Sequence, residues 1–317
     1  MSAPLHFTDL AAAASLPPRP VHLAIGMFDG VHLGHQSVIE SAVHSARRCA
    51  GLAGVLTFWP HPARILRPGT PVPLIHDRDT KRRVLARLGL DFIVEQEFTA
   101  AYSAMEAAGF VPWLKGCLPH LAAVYVGENW RFGRGRSGDV ALLVREGKKA
   151  GIEVYSAPRL NHNGAPVSSS RIRELLARGA VTEANALLGY SYFAEGMVQP
   201  GRKLGRELGF PTLNIPWEPD LKPAYGVYAV SVVDASGETR LGVANYGLRP
   251  TVANTTRPLL EVHLLGESTH APGDALTIHW LQYLRPEQRF PDLAALRAQI
   301  AQDRQRALEF FARVAGD

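Results

Sequence analysis

Cysteine is scarce: Cys49 and Cys117 are the two present in 317 residues, with no metal-ligand spacing between them. A disulfide-stapled secreted domain is therefore not expected; a reduced, cytoplasmic protein is, with both cysteines as small core-filling residues. Long apolar runs are lacking too. None reaches the roughly 18–20 residues that cross a bilayer, so no membrane helix is expected. The start, MSAPLHFTDLAAAASLPPRP, has no basic leader, and His6 and Asp9 interrupt its apolar stretch; it does not read as a secretory signal. No GxxxxGK[ST] occurs anywhere in the chain, which excludes a Walker-type phosphate loop. A basic block is absent as well. The net charge is +5 with a pI near 9.3, yet the basic residues are scattered apart from Arg131, Arg134 and Arg136. No nucleic-acid partner is expected, because nucleotide phosphates use such a charge equally well.

What is present is an ordinary globular composition, 46% hydrophobic and 20% charged, long enough for two cores. The first half alternates strand-like and helical segments. VHLAIGMF from Val21, GVLTF from Gly54, DFIVEQEF from Asp91, LAAVYVGE from Leu121 and GIEVYSAP are the strands. Between them HQSVIESAVHSARR puts Val38, Ile39, Ala42, Val43 and Ala46 on one helical face, and DTKRRVLARLGL gathers Val84, Leu85 and Leu88. This rhythm predicts a Rossmann-like α/β domain with a parallel sheet and helices on both faces.

After about Gly189 short runs such as YFAEGMV, GVYAVSVVD, TRLGVANYG, LLEVHLL and ALTIHWLQYL are punctuated by Gly, Pro and Asn. They predict a small antiparallel β-barrel, with a hairpin at Ser236 and Gly237. A terminal helix from about Pro291 carries Leu293, Leu296 and Ile300 on a shared face. The expected domains are 1–187 and 188–317.

GMFDGVHLGHQ, from Gly26 to Gln36, follows a strand and opens a helix. Gly26, Gly30 and Gly34 let backbone approach a ligand or take positive φ. A helix beginning near His35 offers unpaired amides and a positive dipole end, which suits phosphate. His32 and His35 can donate hydrogen bonds to phosphate oxygens as charge builds, and Asp29 can orient the loop or reach substrate. Further along, Ser169 and Ser170 precede a helix and can cap it while showing hydroxyls to a polyphosphate. Arg173 can fork onto phosphate oxygens. Read alone, each has a bland alternative: two surface histidines, a plain N-cap.

GMFDGVHLGHQ resembles the active-site segment of the bacterial bifunctional riboflavin kinase/FMN adenylyltransferase (FAD synthetase) family. TFWPHPARIL from Thr57, VGENWRFGRGRSGD from Val126 and VSSSRIRELL from Val167 resemble the same family in order. The resemblance implies ATP binding around His32 and His35, with Asn129, Ser169, Ser170 and Arg173 lining the site. His61 is equally well a nucleotide contact or a structural histidine. Trp59 stands where the family more often has an acidic residue.

In the second half GMVQPGRKLGRELGFPTLNI, from Gly196 to Ile215, joins a strand, a basic glycine loop and a turn. Gly201, Lys203 and Gly205 can bring amides and an ammonium to a polyphosphate. Thr212 and Asn214 offer neutral oxygens that suit Mg²⁺, although alone they would be turn residues. The stretch resembles the riboflavin kinase domain, whose Pro-Thr-Ala-Asn here stands as Pro211-Thr212-Leu213-Asn214. By the same resemblance Glu261 in LLEVHLL is the general base; alone it would be an outward-facing strand glutamate. The loop 266–275 departs from the family pattern and is expected to flank the flavin. ATP, riboflavin and FMN are the expected substrates and Mg²⁺ the expected metal. Two alternatives stay open at this level. One half is silent, or the scaffold serves a nucleotide- or nucleic-acid-binding regulator.

Overall fold

The five apolar runs of the first half become parallel strands, and a sixth joins them at one edge. The computed structural model describes residues 3–201, 209–250, 256–267 and 270–316. It divides into two units, Met1–Ser169 and Ser170–Asp317. In the first, β1 (Leu5–Phe7), β2 (Val21–Ile25), β3 (Leu52–Trp59), β4 (Phe92–Glu97), β5 (Leu121–Gly127) and β6 (Glu153–Ala157) form one sheet. Its order is β1-β4-β3-β2-β5-β6, and every pairing is parallel. All five residues of β2 are buried, which is why that strand reads as a continuous apolar run without alternation. The helices are α1 (Leu33–Arg48), α2 (Pro62–Leu66), α3 (Arg78–Ala86), α4 (Ala100–Ser103), α5 (Ala107–Cys117) and α6 (Val140–Lys149).

From β2 the chain steps outward to β3 and β4, then crosses to β5 and β6 on the other side. The order therefore reverses between β2 and β5, and in open α/β sheets that switch opens a crevice at the carboxyl ends of the strands. The segment Gly26–Gln36 leaves β2 at that end.

A two-residue pair, β7 (Asn161–His162) with β8 (Ala165–Pro166), precedes α7 (Ser169–Ala177) and α8 (Val181–Leu188). Then come β9 (Phe193–Met197), β10 (Leu213–Pro216), β11 (Gly226–Asp234), β12 (Thr239–Pro250), β13 (Thr256–Leu264) and β14 (Ala275–Pro286). They form a second sheet, β10-β13-β12-β11-β14-β9, antiparallel throughout. A lone bridge between Gln199 and Asn214 draws its two edges together, so the sheet is nearly a barrel. Its interior is aromatic: Trp280, Tyr192, Tyr228 and Tyr246 are fully buried, and the Tyr228 and Trp280 rings meet edge to face at 4.5 Å. Such rings bury large areas and dominate a small core. The chain closes with α9 (Leu293–Gly316). Among the described residues no helix is long and apolar enough to cross a membrane.

Four expectations need correction. Cys49 is exposed and lies 3.1 Å from His22 Nε2 instead of filling a core, whereas Cys117 packs half-buried against one. α1 begins at Leu33, two residues before the expected start, because His32 itself supplies the cap. Ser169 and Ser170 lie inside the first turn of α7, not ahead of it. Leu293 is 57% exposed, so the packed face of α9 starts at Leu296.

Candidate active sites

At the switch point the histidine turn is held in an uncommon backbone. Phe28, Gly30 and Val31 have φ of 51°, 76° and 39°. Positive φ costs glycine nothing but strains a phenylalanine and, more, a β-branched valine; such strain persists where surrounding structure over-determines it, often at functional sites. His32 caps α1, its Nδ1 accepting from the His35 amide at 3.3 Å. The two imidazoles are stacked, centroids 3.6 Å apart and planes 17° from parallel, with the Phe28 ring edge-on to His35 at 5.4 Å. Gly34, in the first helical turn, has the His32 ring against it; Gly26 has Phe28 in the same position. Burial, then the neighbouring His32 and Lys81 charges, hold His35 well below the ordinary histidine range. It is neutral at physiological pH, with one ring nitrogen a donor. His35 Nδ1 is buried and finds no hydrogen-bond partner among the described residues. A helix start with a stacked imidazole pair and an unsatisfied nitrogen is suited to an anion.

The other predicted residues divide. Asp29 is buried; its carboxylate accepts from the Ile75 amide at 3.0 Å and its carbonyl from the Ser169 hydroxyl at 2.9 Å. Both therefore build the loop. Asn129 follows the carboxyl end of β5, across the crevice from the turn, exposed and donating to Glu128. Ser170 and Arg173 belong to α7 in the second unit. His61 caps α2 through the Ala63 amide at 3.1 Å and also lines a cleft with Asp29, His76 and Lys81. On the β3 side, Trp59, Tyr102, Trp113 and Arg78 line a cavity of about 700 Å³, the Arg78 guanidinium lying 5.8 Å from the Trp59 ring centroid. On the β5 side a groove of about 470 Å³ runs between α1 and the strand ends, past Ser37, Val38, Val126 and Ser156. Sequence reasoning passed over Lys81, Thr57, Glu95 and His76. The one available signal was a lysine among the buried positions of a helix.

In the second unit, cross-strand register assembles the site. Asn214 of β10 pairs with Glu261 of β13, and Glu261 pairs with Asn245 of β12. Leu260, Val262 and Leu264 point into the barrel, so by alternation Glu261 and His263 face outward. Outward here is not solvent. Both line a cavity of about 300 Å³ walled by Thr212, Asn245, Arg285 and Glu287 and, from α9, by Leu296, Ile300 and Asp303. Glu287 is raised above the ordinary carboxylate range, mainly by burial and also by the Glu261 charge, while a hydrogen bond with Asn245 opposes the shift. His263 Nδ1 lies 3.0 Å from the Pro211 carbonyl, tying the Pro211–Asn214 turn to β13. A Cβ at Gly201 would overlap the Asn214 amide, so glycine is required for that close approach. Lys203 and Gly205 lie outside the described residues. The described residues of the loop 266–275 lead into the β9-paired end of β14 and are not among those lining this cavity. Asn245 and Glu287 were missed, since no local motif reveals a cross-strand partner.

The FAD synthetase family model matches residues 16–171 and the riboflavin kinase model residues 188–311. The bifunctional riboflavin kinase/FMN adenylyltransferase of Escherichia coli strain K12 is 37% identical over 298 residues, 93% of this chain and 94% of that one. Its counterpart in Listeria monocytogenes is 35% identical over 296 residues, 92% and 93% of the two chains. A crystal structure described as a macrolide-efflux protein from Streptococcus pneumoniae shares the fold. Its TM-score is 0.84 at 24% identity, covering 96% of this chain and 98% of that one. The histidine turn at the sheet's switch point and the Glu261 row on the barrel thus lie within the two matched segments, and the chain belongs to the bifunctional riboflavin kinase/FMN adenylyltransferase family.

Proposed function

We propose that the histidine turn carries adenylyl transfer and the Glu261 face carries phosphorylation, with functional halves at 1–187 and 188–317. The chain converts riboflavin to FMN and FMN to FAD. For the second step, ATP lies with its phosphates at the start of α1 and its adenosine along the groove beside Val38 and Val126. An FMN phosphate oxygen bonds to the α-phosphorus, the bond to the bridging oxygen breaks, and its electron pair leaves with pyrophosphate. No proton need leave a dianionic phosphate. His32 and neutral His35 donate to the oxygens that gain charge; Asn129 binds the nucleotide, while Asp29 and Ser169 shape the loop. The arrangement that supports this reading is the buried nitrogen of His35 at the head of α1, which has no hydrogen-bond partner among the described residues.

For the first step, Glu261 accepts the proton of the ribityl 5′-hydroxyl as its oxygen attacks the γ-phosphorus of ATP, and ADP leaves. Asn245 and Glu287 orient that end of the substrate, and Leu296 and Ile300 supply an apolar wall for the flavin ring. Gly201, Lys203 and Gly205 cradle the phosphates. Thr212 and Asn214 fit Mg²⁺ in donor chemistry, being oxygen ligands beside a glycine that leaves space. When bound, the ion would neutralise charge on the ATP phosphates. Unpaired cysteines fit a cytoplasmic location.

The test follows riboflavin, FMN and FAD by chromatography. Glu261→Gln should lower FMN formation by about 10²–10⁴-fold and leave FMN-to-FAD conversion intact. Replacing His32 and His35 with alanine should do the reverse. Equal loss of both activities in folded protein would reject separate sites.

A further inference from the structure

Among the described residues Lys81 is the one buried lysine or arginine. It sits in the first turn of α3, and its ammonium donates to the Thr57 hydroxyl at 3.1 Å. That hydroxyl donates onward to the Met27 carbonyl at 3.0 Å, inside the histidine turn. On its other side stands Glu95 of β4, fully buried, with Oε1 3.9 Å from the ammonium. Glu95 Oε2 is fixed by His6 Nε2 at 3.1 Å and Arg78 Nε at 3.0 Å, while Oε1 has no hydrogen bond among the described residues. The buried ammonium is thus held between a carboxylate that anchors it and a hydroxyl that passes its hydrogen bond to the turn.

A buried ion costs several kcal/mol unless well partnered, and an apolar side chain of equal length would avoid that cost. Loop support alone would not require a charge here. We infer that Lys81 is a positioning residue for adenylyl transfer: through Thr57 it fixes the Met27 end of the turn, and its ammonium supplies a positive charge close to His35. The inference rests on the histidine turn being the adenylyl-transfer site.

The surrounding charges fit. His35 faces His32 across the ring stack and Lys81 from α3. Lys81 faces Glu95 and Asp29, with Arg78 on its own helix opposing them, and His61, His76 and Asp77 line the same narrow cleft. Burial draws Lys81 below the ordinary lysine range, and Glu95 and Asp29 pull it back. Of these groups the lysine, with Glu95 and Asp29 as its carboxylates, is the one placed to keep its charge.

Lys81→Met in the full chain is the test, with both half-reactions followed from pH 5 to 9. Expected is a fall of about 100-fold in kcat for FAD formation, with a smaller change in KM for ATP and riboflavin phosphorylation retained. Because a cation that lowers the His35 pKa is gone, the acid limb of kcat/KM should move to higher pH, and Lys81→Arg should restore it. Unchanged FAD formation overturns the inference, as does a loss that leaves the acid limb where it was. Should Lys81→Met fail to fold, Thr57→Val is read in its place, and a wild-type rate there overturns it equally. His35→Ala separates the two levels. If His35→Ala still makes FAD, the site is wrong. If it is dead while Lys81→Met is fully active, only the lysine inference fails.

Discussion

His76 is 5% exposed, and burial, partly opposed by Asp77 and aided by Arg83, brings its pKa down to about 4. In the unfolded chain the same ring titrates near 6.5. Between these values the unfolded state binds more protons than the folded one, so stability is full above 6.5 and is lost as pH falls towards 4. At pH 5 the loss from this one ring is about 2 kcal/mol. Urea unfolding at pH 7.5 and pH 5 should show His76→Gln losing less stability across that interval than the parent chain; parallel losses would mean that the ring is not buried neutral. His35 acts in the same direction, so the variant should flatten the dependence without abolishing it. The two rings differ in how much a sequence could say of them. His35 belongs to a strand-glycine-histidine-helix order that suits a phosphate. His76 and Lys81 are single polar letters on ordinary segments, and their importance comes from burial, which follows only from the packing of α3 against β3 and β4. Phe28 and Val31 were equally opaque, because no residue type advertises a strained φ.

Among elements, the barrel strands were legible because one face is buried. Leu260, Val262 and Leu264 alternate with Glu261 and His263, and the pattern alone gives the outward residues. It does not give their partners: Asn245 and Asn214 join Glu261 through register, which turns and bulges set. β1 is too short to show a period. α5 holds Pro112 and two glycines, Gly109 and Gly116, so its helical propensity was weak and its apolar face decides the outcome. α9 was expected as a helix, but what fastens it was hidden. Arg285 of β14 donates to both oxygens of the buried Asp303, at 2.9, 3.0 and 2.7 Å. Removing one partner of a buried pair leaves the other charged and unsatisfied, typically at a cost of about 3–5 kcal/mol. Asp303→Ala should therefore lower the unfolding midpoint of the C-terminal unit. It should also raise KM for riboflavin, since Leu296 and Ile300 on the same helix wall the cavity, and FMN-to-FAD conversion should persist. A variant with an unchanged midpoint and riboflavin KM would show that α9 is held by other means.

For the molecule as a whole, motif order and packing draw different lines through the chain, and the difference can be measured. The kinase motifs begin after residue 188, yet α8 is built into the barrel. Asn185 Nδ2 donates to the Trp280 carbonyl at 2.7 Å, Asn185 Oδ1 accepts from the Tyr192 amide at 2.7 Å, and the Thr182 hydroxyl donates to the Leu281 carbonyl at 2.9 Å. Val181, Ala184, Leu187 and Leu188 are buried on the same helix. A fragment 188–317 would lose all but the last of these, leaving the carbonyls of Trp280 and Leu281 without their helix partners and the apolar seat of α8 open to water. The residues proposed for its chemistry, Gly201, Thr212, Asn214 and Glu261, are all retained. A fragment 170–317 keeps both chemistry and helix. Each should phosphorylate riboflavin at low temperature. The shorter one should unfold earlier, by about 3 kcal/mol if the buried Val181 and Leu187 side chains and the lost hydrogen bonds outweigh the entropy of ordering the helix. Thermal and urea unfolding of the two fragments, with FMN formation as the measure of native structure, decides the matter. Coincident midpoints would make α8 an appendage, and residue 188, where the riboflavin kinase match begins, the structural start of that half as well.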